Sequence, residues 1–228
     1  MTSITAGLSD VDRIARRNAL FLAAAQAMYG VTTAMVITLG GIIGGVLAHD
    51  RAYATLPVTT MMLGTMIATV PASLFMARYG RRLGFSIGCG IGVVAGLLAA
   101  YAVLSGSFLL FCLATHFVGY YQSTAQFYRF AAADVATPAY RPKAISWALG
   151  GGLVGALLAP EIIRPTKDLM VLNAACFLAA SAMALVGLLF VQFIRIPVPA
   201  RQAGGGSGRP LAEIVLKPKF LAALAAGA

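Results

Sequence analysis

The chain has 228 residues, of which 60% are hydrophobic and only 11% charged, with a formal net charge of +10. A soluble domain carries roughly 25% charged residues, so this composition excludes an ordinary globular protein and indicates an integral membrane chain. The excess basic charge does not imply nucleic acid binding, because the Lys and Arg residues punctuate apolar runs and form no continuous basic stripe.

The first seventeen residues are polar and end in Arg13, Arg16 and Arg17. The apolar stretch that follows is far longer than the ~7–15 residues of a signal core, so it is expected to remain as a first helix. Successive apolar runs predict spans at about 19–46, 53–76, 84–104, 108–131, 144–163 and 169–194. His49-Asp50-Arg51 closes the first span, Ser105-Gly106-Ser107 separates the third from the fourth, and Arg164 to Asp168 turns the fifth into the sixth. The segment 195–218, rich in Gly and basic residues, is expected to be a cytoplasmic loop. Residues 219–228 read as the start of a seventh helix, too short to span, in a partial or truncated chain. Cys89, Cys112 and Cys176 all lie inside apolar runs with no metal-ligand spacing, so they are expected to serve as small packing residues.

Between the second and third runs stands Arg78-Tyr79-Gly80-Arg81-Arg82. No Asp, Glu, Lys or Arg occurs in residues 52–77 before it, or after it until Arg129. Counting basic residues sets the orientation. Three lie in the N-terminal tail, three in this knot, three at Arg129, Arg141 and Lys143, and five from Arg195 onward, so fourteen of seventeen fall on one side. The positive-inside rule puts that side, and the N-terminus, in the cytoplasm.

Glycines recur at i, i+4 as Gly84, Gly88, Gly92 and Gly96, as Gly40/Gly44, and as Gly151/Gly155. Small residues at this spacing make a groove for close helix approach, which predicts packing within the bundle.

Polar residues inside an apolar span are costly and mark candidate solute contacts. On the fourth span Thr115, Gly119, Gln122, Gln126 and Arg129 fall on one face, with His116, Tyr120 and Ser123 on an adjacent stripe. On the first span Gln26, Tyr29 and Thr33 form a smaller polar face. The predicted solute-binding set is therefore Gln26, Tyr29, Thr33, His116, Tyr120, Gln122, Gln126 and Arg129. Gln and Thr at such sites also serve as hydrogen-bonded glue between helices, and His116 reads as either a packing group or a proton carrier.

The basic knot resembles the Asp-Arg-x-Gly-Arg-Arg motif of the major facilitator superfamily, matching at Arg78, Gly80, Arg81 and Arg82. The family's Asp falls on Ala77, and its preceding Gly on Ser73. In that family the motif helps close the cytoplasmic gate, and Asp134 is expected to supply a substitute carboxylate for Arg78 or Arg82. Gly150-Gly151-Gly152, Gly155 and Ala159-Pro160 are similar to the glycine/proline motif of family antiporters, with Ala in place of its Gly before the Pro. The run Phe127 to Asp134 resembles a bacterial subgroup associated with riboflavin uptake.

The resemblance implies an all-α fold of six transmembrane helices arranged as two inverted three-helix repeats. It also implies an inner-membrane location, a C-terminal six-helix partner half, and secondary transport of a small solute by alternating access. The competing reading is a non-transporting membrane scaffold or an inactive half-transporter. An enzyme is not indicated: His-Glu-x-x-His, Gly-x-Ser-x-Gly and the phosphate-binding Gly-x-x-x-x-Gly-Lys pattern are all missing from the sequence, and nothing points to a cofactor or metal.

Overall fold

The computed structural model describes residues 2–170 and 173–194, with side chains from Asp12 onward. Among them are seven α-helices and no strand: α1 (Thr2–Leu47), α2 (Leu56–Tyr79), α3 (Arg81–Leu104), α4 (Phe108–Ala125), α5 (Tyr128–Asp134), α6 (Arg141–Thr166) and α7 (Ala174–Gln192). The loop at 195–218 and the helical start at 219–228 lie outside the described residues.

The helix expected from residue 19 begins at Thr2. Residues 2–17 contain no Pro and a single Gly, Gly7, so the remaining residues of the polar tail all support helical hydrogen bonding. Among the described residues, five helices are long and apolar enough to cross a membrane, within Asp12–Leu47, Arg51–Tyr79, Arg81–Leu104, Arg141–Thr166 and Ala174–Gln192. The span expected at 108–131 is broken instead into α4 and α5. Ser123 and Thr124 bond back to the carbonyls of Tyr120 and Tyr121, each at 2.8 Å. Such back-bonding competes with the helical ladder and bends it. At the break, the Phe127 N–H reaches the Thr124 carbonyl at 3.1 Å, a three-residue rather than four-residue step.

The basic knot contains almost no loop. Arg78 and Tyr79 close α2, Arg81 and Arg82 open α3, and Gly80 alone lies between them at φ +91°. Only a residue without Cβ adopts that conformation cheaply, which explains glycine at this position.

α1 packs chiefly on α6, α2 on α4 and α3 on α7, while α3 also meets α4 and α1 meets α7. The glycine stripe of α3 packs inside the bundle throughout. A Cβ on Gly84 would strike Met76, one on Gly88 would strike Thr124, one on Gly92 would lie 2.6 Å from the Tyr121 ring, and one on Gly96 would lie 2.8 Å from Ser181. The buried apolar side chains form two main layers. One contains Leu22, Phe85, Tyr121, Tyr128 and Val191. The other contains Val36, Ile43, Met61, Phe111 and Phe177.

Four contacts gather the basic segments at one end of the bundle. Arg81 pairs with Asp134, and the Arg82 Nη2 donates to Gln192 Oε1 at 3.1 Å. The Arg17 guanidinium donates to the Phe193 carbonyl at 3.3 Å, and the Thr137 hydroxyl donates to Asp12 Oδ1 at 2.9 Å. The start of α1, the Gly80 turn, the end of α5 and the end of α7 therefore share one face, as the charge count requires.

Candidate solute face and charged turn

Two helix pairs approach with backbone against backbone, and they do so in the same register. Between α1 and α6, a Cβ on Gly30 would lie 2.9 Å from the Gly152 carbonyl oxygen, and one on Gly155 would strike the Ala27 carbonyl. Between α4 and α2, a Cβ on Gly119 would strike the Met61 carbonyl, and one on Gly64 would strike the His116 carbonyl. In α1 and α4 alike, the glycine stands three residues after the residue whose carbonyl faces the partner helix's glycine, Gly30 after Ala27 and Gly119 after His116. In α6 and α2 the same step separates Gly155 from Gly152 and Gly64 from Met61. Four residues before each central glycine stand Gln26 and Thr115, and three residues after it stand Thr33 and Gln122.

The polar candidates divide along this register. Thr33 Oγ1 and Gln122 Oε1 are both buried; Gln122 Oε1 makes no hydrogen bond among the described residues, and Thr33 Oγ1 has only the Tyr29 hydroxyl of its own helix beside it. Desolvating such a group without a partner costs about 1–3 kcal/mol, so each is available to a ligand at little further expense. Gln26 is half-buried beside Gly152 of α6. Tyr29 is buried, its ring edge-on to Tyr121 at 5.5 Å and 87°, which joins α1 directly to α4. Gln126 and Arg129 are exposed, and the Arg129 guanidinium sits over the Phe130 ring at 4.8 Å. Gln126 occupies the helix break itself, as the C-cap of α4.

His116 and Tyr120 turn elsewhere. His116 Nδ1 lies 3.1 Å from the Thr60 carbonyl on α2. A carbonyl only accepts, so this nitrogen carries the proton and donates. The ring packs on Tyr120 at 5.1 Å, and Tyr120 lines a cleft toward α2 and α3 rather than the face of Gln122. Around His116 runs a polar seam that sequence reasoning did not identify. The Thr60 and Thr115 hydroxyls meet at 2.9 Å, the Thr60 hydroxyl donates to the Cys112 carbonyl at 3.1 Å, and the Thr65 hydroxyl donates to the Gly119 carbonyl at 3.2 Å. The signal was available in the sequence as Thr60 and Thr65 on an otherwise apolar run, matching Thr115 and Gly119 across the pair.

Behind the break, Tyr128 is fully buried, edge-on to Phe85 at 4.7 Å, with its hydroxyl 3.4 Å from the Cys89 sulfur. Cys89, expected only to pack, is thus also a polar partner that anchors the first residue of α5 to α3.

At the charged turn, Asp134 is engaged by Arg81 rather than by Arg78 or Arg82. The Arg81 Nη2 donates to Asp134 Oδ1 at 3.2 Å, and its Nε meets the other carboxylate oxygen, a two-point contact. Helix geometry explains the choice: Arg81 opens α3 on the side facing α5, while Arg82 turns to Gln192 and Arg78 lies over the Tyr79 ring at 5.5 Å. Gly80 carries the chain between these arginines.

No protein-family model matches the chain. It is 40% identical over 217 residues to the riboflavin transporter RfnT of Brucella anthropi, an alignment covering 93% of this chain and 54% of that protein. The chain therefore spans about half the length of the curated relative it matches.

Proposed function

We propose that the chain is the N-terminal six-helix half of a secondary transporter of the major facilitator type, carrying a riboflavin-like solute by alternating access. The observation that carries this reading is the 40% identity, over 93% of the chain, to a protein named as a riboflavin transporter. The first six-helix half pairs with a second half, corresponding to the remainder of that relative's length, and holds solute between the two near mid-membrane.

The glycine register supports an internal repeat. Exchanging α1 with α4, α2 with α6 and α3 with α7 turns the α1–α6 pair into the α4–α2 pair, and carries Gly30 onto Gly119 and Gly155 onto Gly64. Two three-helix units of opposite topology, 1–104 and 105–194, account for this correspondence. In this reading Gln26, Tyr29, Thr33, Gln122, Gln126 and Arg129 line the solute path from α1 and α4. Amide and hydroxyl groups suit the imide edge and polyol tail of a flavin, while Tyr29 supplies an aromatic edge. His116 and Tyr120 support α4 from behind. Arg81 and Asp134, with Arg78, Gly80 and Arg82, close the cytoplasmic side, in the inner membrane with the N-terminus inside.

The test is uptake of labelled riboflavin by a riboflavin-auxotrophic bacterium expressing the full reading frame. Saturable uptake, lost on substituting Gln122 and Thr33 together, is the expected result. A correctly inserted protein giving no uptake above the empty vector would instead favour a non-transporting scaffold.

A further inference from the structure

An apolar cleft of about 390 Å³ opens between α2, α3 and α4. Its wall includes Ile67, Ala72 and Phe75 from α2, Ile87 and Ile91 from α3, and Tyr120 from α4. It begins beside the Gly80 turn, with Phe75 and Gly84 on either side, and reaches Ile91. The lining runs from Gly84 to Ile91 on α3 and from Ile67 to Phe75 on α2; at ~1.5 Å per residue that is roughly 10–12 Å. One leaflet of a hydrocarbon core is about 15 Å deep. The cleft therefore spans most of one acyl layer, with its Phe75 and Gly84 end toward the charged turn.

That end is cationic. The Phe75 and Tyr79 rings lie 4.7 Å apart, and the Arg78 guanidinium sits 5.5 Å from the Tyr79 ring centre, so apolar wall leads to cation through one aromatic step. Arg78 is exposed and has no carboxylate within ion-pairing distance among the described residues, in contrast to Arg81 with Asp134. α3 starts here with Gly80 at its N-cap and no side-chain cap, leaving the first-turn N–H groups open beside Arg81 and Arg82. A helix N-terminus flanked by arginines is suited to a phosphate.

We infer that this cleft and turn form a binding site for one anionic phospholipid, with an acyl chain between α2, α3 and α4 and its phosphate at Arg78 and the start of α3. The site lies away from the face of Gln122 and Thr33, and it does not depend on what the chain transports. A lipid held there wedges α2 from α3 beside the Arg81–Asp134 pair.

The experiment is native mass spectrometry of the full-length protein, released from micelles containing equimolar phosphatidylglycerol and phosphatidylcholine. The wild type is expected to retain phosphatidylglycerol preferentially. Arg78→Gln should reduce that preference about fivefold, the effect of one basic group at an anionic lipid surface. Ala72→Trp should abolish retention of both lipids by filling the cleft, with Ile87→Trp at the exposed mouth as a second variant should the first not fold. Millimolar inorganic phosphate should leave the preference unchanged. Equal retention of the two lipids, a preference that survives both the charge and the filling variants, or displacement by phosphate alone would overturn the assignment. None of these outcomes bears on riboflavin uptake, which is a separate measurement.

Discussion

Two adjacent glycines in α6 offer a direct measurement of how close α1 and α6 must come. At Gly150 an added methyl meets nothing within 4 Å. At Gly151 it would strike the Ala23 carbonyl oxygen, with the carbonyl carbon at 2.7 Å and Cα at 2.8 Å. All three are backbone atoms of α1, so no side chain can rotate away and the helices themselves must part. Gly→Ala in a helix interior is by itself worth about 0.5–1 kcal/mol of stabilisation, because glycine gives up more backbone freedom on folding. Gly150→Ala should gain that amount. Gly151→Ala gains the same and loses about 1–3 kcal/mol to overpacking. The gap between the two variants isolates the overpacking term, and a value near 2 kcal/mol would separate their melting temperatures by about 4–8 °C. Thermal unfolding of the full-length protein in detergent, followed by fluorescence of a fused reporter on size exclusion, reads this difference. Equal melting temperatures for Gly150→Ala and Gly151→Ala would refute the backbone contact, and with it the register on which the proposed internal repeat rests.

Gly64→Ala and Gly155→Ala, equivalent contacts in the two helix pairs, should destabilise by similar amounts in the same assay; a large effect at one and none at the other would break the correspondence between α4–α2 and α1–α6. Asp134→Asn and Arg81→Gln should each cost under about 1 kcal/mol of stability, since the pair is partly exposed at 25% and 36%. Both should nevertheless raise the labelling rate of a cysteine introduced at the Gly80 end of the bundle; unchanged labelling would detach the pair from gating. Gln122→Ala and Thr33→Ala should leave stability nearly unchanged, because neither removes a hydrogen bond to another helix, while weakening solute uptake through KM; a melting shift with normal uptake would make them structural. His116→Asn retains a donor for the Thr60 carbonyl and should preserve the pH profile of uptake, and a profile that flattens would assign His116 to proton transfer.

Five of the six expected spans were legible because their signal is one-dimensional: long runs without charge, cut by turns, with basic residues on alternate connections. Helix register within the bundle was partly legible too, since the glycine stripe of α3 names a face even though it does not name the partners on it. The break at Gln126 escaped because no Gly or Pro marks it; two hydroxyls bonding back to their own helix do. The polar set read from helical spacing mixed two destinations. Spacing places Thr115 with Gln122 and His116 with Tyr120, but it does not say that α2 carries Thr60 and Thr65 opposite that edge of α4. Thr115 and His116 are spent on those partners, whereas Gln122 is not. Asp134 was read correctly as a carboxylate near the basic knot, and assigned to the wrong arginines. The sequence does not reveal that the knot is a one-residue turn, which aims Arg78, Arg81 and Arg82 in three different directions.

The broken fourth helix connects these features. Were 108–131 one continuous helix, Arg129 would continue the face of Gln122, and Asp134 would follow it around the same cylinder. The break at Gln126 and Phe127 frees α5 to take its own direction, set by Tyr128 against Phe85 and Cys89 of α3. That anchor carries Asp134 to Arg81, at the start of the same α3. α5 is thus tied to α3 by a buried aromatic at one end and an ion pair at the other, while packing chiefly on α6 and α1, and α4 packs on both α2 and α3. A change in the angle between α4 and α5 is taken up at Gln126, the one residue of the proposed solute path that sits in the joint. Shortening that side chain and stiffening that joint are separable perturbations. Gln126→Ala keeps the three-residue step and removes the amide, so it should weaken solute binding. Ser123→Ala with Thr124→Ala removes the back-bonds and favours a continuous helix, so it should slow turnover at saturating solute.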